Sequence, residues 1–204
     1  MQAGDWLLFL EQYSLELLAT DDERIKIPAA ARDSQWMGYP PATEAAIEAA
    51  ERRLGRQLPP SLRTFYAVTN GWRSTGFFIW DVLPVEQLGW LRDREPQLYQ
   101  LACKTEATPG PFRKDPDGSR LREFRHEQGT RVMRTLAITS PGDAAWWLLD
   151  PETVSETGEW AAGRWAAWQP AMEWSAKSFA DLMQQEFETF LRLKSRKTGS
   201  KQTK

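Results

Sequence analysis

The chain of 204 residues carries one histidine, His126, and one cysteine, Cys103, which bounds its chemistry before any fold is considered. A structural zinc site takes four nitrogen or sulfur ligands and a catalytic one typically three protein ligands. Metal sites of that kind are therefore nearly excluded. A Ser-His-Asp or Cys-His arrangement would have to use His126, which stands in a charged stretch with no strand-turn-helix nucleophile elbow nearby. An exposed histidine is the simpler reading. Cys103 has no second cysteine to pair with and reads as a small core residue in a reducing compartment. No Gly-x-Gly-x-x-Gly follows a strand, and no phosphate-cradling loop ends in Lys-Ser/Thr, so no nucleotide cofactor is expected. The carboxylates Asp81, Asp143, Asp150 and Glu159 leave open a glycosidase pair or an oxygen-ligand metal site, because sequence sets no distance between them. The expectation is a protein that is not an enzyme and needs no cofactor.

A different chemistry is concentrated between Asp143 and Gly163, where Asp143, Asp150, Glu152, Glu156 and Glu159 are offset by no Lys or Arg. Trp146, Trp147 and Trp160 share the segment. Adjacent strand residues point to opposite faces, so Trp146 and Trp147 are both buried only if the sheet is covered on both sides. Otherwise one of them faces a partner, and Trp165 and Trp168 pose the same question. Desolvated aromatic anchors bordered by acids would suit a basic protein surface, such as a nuclease domain that must itself attract phosphate. The candidate partner-binding residues are Asp143, Trp146, Asp150, Glu152, Glu156, Glu159 and Trp160. The plainer alternatives are acids that merely solvate a hairpin and tryptophans that fill the core.

The whole-chain charge fits that chemistry. Six of the 26 basic residues lie from Arg192 onward, with no acid among them, so residues 1 to 191 carry a net −8. An acidic body argues against nucleic acid and for a basic protein partner. No run approaches the roughly 18 apolar residues of a membrane span, and the N-terminus lacks the pattern of a signal peptide, so a cytoplasmic protein is expected. The basic tail 192–204 reads as a frayed, solvated end.

Several elements must position the acidic segment. Trp6, Leu10, Tyr13 and Leu17 recur at helical spacing, with Asp5 available as a cap. Asp21 to Tyr39 reads as a connector. Thr43 can cap a helix with the buried stripe Ile47, Ala50 and Leu54, closed by Gly55. Leu58-Pro59-Pro60 opens a second helix bearing Leu62, Phe65, Tyr66 and Thr69, and Asn70-Gly71 ends it through positive φ. Phe77 to Trp80 reads as a strand, Glu86 to Lys104 as one or two short helices, and 105–129 as a surface insertion. Val132 to Thr139 and Ala145 to Leu149 then form an antiparallel hairpin about a Ser140-Pro-Gly-Asp143 turn, and Glu159 to Trp168 adds a strand after Thr157-Gly158. Phe179, Leu182, Met183, Phe187 and Phe190 mark a last helix. Helices flanking antiparallel strands give an α+β class in one domain over 1–191.

The order helix, Leu54-Gly55, Leu58-Pro59, aromatic-rich helix, Asn70-Gly71 closely resembles the motif of the SUKH superfamily, in its yeast cell-wall-regulator (Smi/Knr) branch. Thr135-Leu-Ala-Ile138, Gly142-Asp143, the Trp146 to Asp150 strand and Ser178-Phe179-Ala-Asp-Leu182 match in order too, so the resemblance runs from about Trp36 to Phe190. Trp72 departs from it, standing where many members carry another small residue. The stretch Arg92 to Gly129 is longer than a compact member needs, and the first helix reads as an addition. The resemblance implies a SUKH-like α+β domain that binds other proteins. Many bacterial members look like immunity proteins that neutralise polymorphic toxins by direct association, and fungal relatives act as regulatory or scaffolding hubs.

Overall fold

The computed structural model describes residues 1–79, 81–97, 131–141, 145–166 and 173–201, the side chains of Glu173 and of 196–201 excepted. Along the chain run the helices α1 (Ala3–Leu18), α2 (Ala29–Ser34), α3 (Glu44–Leu54) and α4 (Pro60–Val68). A 3-10 turn (Val85–Gln87), strand β1 (Gly89–Trp90) and helix α5 (Leu91–Arg94) follow. After them come β2 (Leu136–Ala137), β3 (Ala145–Val154), β4 (Trp160–Ala166), β5 (Glu173–Ala176) and the long helix α6 (Phe179–Lys201). The five strands form one antiparallel sheet in sequence order, so the protein is α+β with helices before and after its sheet.

The helix signals act where their chemistry requires. The Thr43 hydroxyl accepts from the Ala46 amide at 3.2 Å, and Gly55 ends α3 at φ +71, as a left-handed closing residue must. Pro60 occupies the first turn of α4, where its missing N–H costs nothing. In α1 the helix begins three residues earlier than its stripe suggests. Gln2 is the cap and Asp5, read from sequence as the cap, instead accepts from the Gln2 amide at 2.8 Å.

The main core lies between one sheet face and α1, α3, α4 and α6. Trp6 of α1 meets Phe65 at 5.3 Å and Phe179 at 5.5 Å, and its indole donates to the Ser61 carbonyl at 3.1 Å. A helix expected to be an addition thus supplies four fully buried side chains, Trp6, Leu10, Tyr13 and Leu17, to the shared core. Along β3 the side chains alternate: Trp147 and Leu149 enter this core, while Trp146 and Leu148 enter a second cluster with Leu91, Val132, Met133 and Ala137. The sheet is covered on both faces, which is why both adjacent tryptophans are buried.

Some expectations give way. Phe77 to Ile79 is an irregular bend, because the Thr75 hydroxyl closes it on the Ile79 carbonyl at 2.9 Å and Phe77 turns onto Phe190. Trp80 lies outside the described residues. Residues 131–133 are helical, leaving Leu136–Ala137 as the strand, since Thr135 closes a turn back on the Val132 carbonyl. The connector 21–39 holds the short helix α2, and β5 was not anticipated. Asn70 does not share the positive φ of Gly71 (+107): its side chain accepts from the Val85 amide at 2.8 Å and donates to Glu86. The tail expected to fray from Arg192 is helical to Lys201, with Lys194 paired to Glu16 at 2.9 Å. His126, Cys103, Trp168, the 105–129 insertion and the Gly142-Asp143 half of the hairpin turn lie outside the described residues.

Candidate partner-binding surface

The acidic segment is the hairpin formed by β3 and β4. Its strands pair from Ala145↔Ala166 to Asp150↔Ala161, and the register then shifts before Val154↔Trp160. Such a bulge bends and twists a strand, so residues 152–157 project from the sheet as an exposed tip. The tip is closed by its own hydrogen bonds. The Ser155 amide donates to the Glu159 carbonyl at 2.8 Å, the Gly158 amide to the Ser155 carbonyl at 3.0 Å, and the Glu159 amide to the Ser155 hydroxyl at 3.1 Å. Gly158 supplies the turn's positive φ of +81.

The seven candidate residues separate into three groups. Asp143 lies outside the described residues. Trp146 and Trp160 are buried, Trp146 stacked on Trp165 at 5.5 Å in the second cluster and Trp160 in the main core. Neither is an aromatic anchor facing a partner, because helices and the 131–133 turn already cover both faces of their sheet.

Two of the acids are committed inside the protein. Asp150 is 1% exposed and accepts from the Arg131 guanidinium (Nε at 2.8 Å), the Thr153 hydroxyl at 2.8 Å and the Glu152 amide at 3.0 Å. Glu159 is half-buried and accepts from the Ser61 amide at 2.8 Å and the Ser61 hydroxyl at 2.7 Å. Pro59 occupies the cap position of α4 and can offer no side-chain oxygen, so a carboxylate from another element does the capping.

Glu152 and Glu156 remain exposed. Glu152 has a loose pair with Arg56 at 3.6 Å, worth little between such exposed groups. Between them stands Val154, 51% exposed, which sequence reasoning missed. A lone valine among turn-forming and acidic residues is the signal that could have found it. The surface is thus two exposed carboxylates flanking one apolar side chain on a turn closed by its own hydrogen bonds.

A cavity of about 450 Å³ lies beside this turn, lined by Gln2, Pro60, Thr157, Glu159, Asp181 and others. Its carboxylates stand at the first turns of α4 and α6, where the helix dipoles offset their charge. Among the described residues no group of three or more His, Cys, Asp or Glu side chains is placed to hold a metal ion. No helix among them is long and apolar enough to cross a membrane.

These features define a helix-flanked antiparallel α+β domain whose acidic tip is built on a doubly covered sheet. Residues 41–185 match the family model described as the SMI1 / KNR4 family (SUKH-1), and the chain belongs to that family. The match takes in α3 through the first turns of α6, and α1 lies before it. No curated protein matches the chain.

Proposed function

We propose that this protein is a cytoplasmic protein-binding domain that neutralises a bacterial toxin by direct association, without bond chemistry and without a cofactor. Family membership supports the reading, since bacterial relatives look like immunity proteins. The observation that carries it is the exposed tip, where Glu152 and Glu156 flank Val154 on a turn already fixed by its own hydrogen bonds. A rigid tip loses little conformational entropy on docking. Its charge steers a basic surface toward it, and a desolvated valine adds apolar contact once there.

Nucleic acid and membranes are not the proposed partners, because the acidic body repels phosphate. Co-expression tests the reading: cells should be rescued from one toxin, encoded in a neighbouring reading frame, and not from unrelated toxins. Failure against every neighbouring toxin rejects it. A pull-down that returns several signalling or wall-synthesis proteins, in place of one stoichiometric toxin, would establish instead a regulatory or scaffolding role like that of the fungal relatives.

A further inference from the structure

Glu186 stands one turn after Leu182 and Met183 and one turn before Thr189 and Phe190 on α6, among neighbours that carry no charge. Its side chain is nine-tenths buried, and among the described residues it has no hydrogen-bond or ion-pair partner. What it touches is Gly76, where an added Cβ would stand 2.7 Å from the Glu186 Oε1. A side chain there would push the end of the Glu186 carboxyl aside.

Gly76 is the centre of the irregular loop Arg73–Ile79. Tyr13 of α1 donates its hydroxyl to the Thr75 carbonyl, Phe77 rests on Phe190 at 5.4 Å, and Arg164 of β4 lies over the Phe78 ring at 5.6 Å. Ser74 is held at φ +56, a left-handed conformation that a non-glycine residue adopts at a cost. The charged and titratable groups that face Glu186 are Tyr13 and Arg164. The loop's own Arg73 is engaged by the Met37 and Gly38 carbonyls.

We propose that Glu186 is a proton-operated latch for the Arg73–Ile79 loop: the neutral carboxyl lets the loop lie against α6, and ionisation loosens it. A buried carboxylate without a partner is strongly disfavoured. Helix α6 is fixed before and after Glu186 by the buried Met183 and Phe190, so water reaches the charge by displacement of the loop. Burial pushes the carboxyl up to about 7, with Arg164 pulling the other way, so the latch works near neutral pH. The loop carries Phe78, a residue 40% exposed, and loosening changes how its ring is presented.

Amide hydrogen exchange of residues 74–79, corrected for intrinsic rates, tests the latch at pH 6 and pH 8 in the wild type and in Glu186→Gln. The wild type should lose protection by about tenfold or more between the two pH values, the variant should not, and amides of α3 should be unchanged in both. Arg164→Gln should move the wild-type midpoint upward. Equal wild-type protection at both pH values, or the same loss in Glu186→Gln, overturns the proposal. So does a carbon-13 titration that places the Glu186 midpoint below about 5, near an ordinary carboxylate.

Discussion

The buried carboxylate of Asp150, at the end of β3's regular pairing, is held by the guanidinium of Arg131, nineteen residues earlier in the chain. The pair joins the 131–133 turn to the base of the exposed tip. Arg131→Ala should destabilise the protein by about 2 kcal/mol in urea unfolding, at the low side for a broken buried pair, because Arg131 is itself partly exposed. Asp150→Asn should cost less, since it leaves an arginine that can turn to water, and the opposite ranking would refute this account of the pair.

Charge reversal should separate binding from folding along one hairpin. Glu159→Lys removes the cap of α4 and should lower stability by about 1 to 2 kcal/mol. Glu152→Lys and Glu156→Lys should stay within about 0.5 kcal/mol of the wild type and slow association with a basic partner, most at low salt. Thermal melts and association rates at two salt concentrations check both halves. Unchanged rates in the double reversal would remove the tip as the docking surface.

Two left-handed glycines should differ in their tolerance of a side chain. At Gly55 (φ +71) an added Cβ meets open space, and Gly55→Ala should cost about 1 kcal/mol from backbone strain. At Gly71 (φ +107) it would lie 2.8 Å from the Val82 carbonyl, part of the bridge between Trp72 and Val82. Gly71→Ala should therefore cost more than 2 kcal/mol, about twice the Gly55 value or greater. Matched denaturation midpoints decide it.

Stability should also respond to pH through Glu186. Its folded pKa, about 7, lies above the ordinary value of 4.5, so the folded state keeps a proton that the unfolded chain has released. The stability linked to that proton is full below about 4.5 and is lost as pH rises through about 7. Glu186→Gln, neutral throughout, should be close to wild type at pH 4 and more stable by up to about 3 kcal/mol at pH 8. Melting curves across this range would contradict the sign if the variant's advantage appeared in acid.

Local chemistry was legible in the sequence. Thr43, Gly55, Pro60 and the stripes of α1, α3 and α4 are read from neighbours three or four residues apart, and the same spacing carried the family resemblance. The α+β class followed from the order of those elements. Misreadings fell where a distant residue decided the outcome. Phe77 to Ile79 is aromatic enough for a strand, yet Phe190 and the Thr75 hydroxyl bend it.

The sequence by itself determined that the 143–163 segment is acidic, rich in tryptophan and made of strand residues about a Thr157-Gly158 turn. Only the tertiary structure decided which of its residues reach solvent. Burial depends on what covers each face, and here α1, α6, α5 and the 131–133 turn close over Trp146 and Trp160. Charge likewise depends on partners far along the chain: Arg131 takes Asp150 and Ser61 takes Glu159, leaving Glu152, Val154 and Glu156 as the exposed tip.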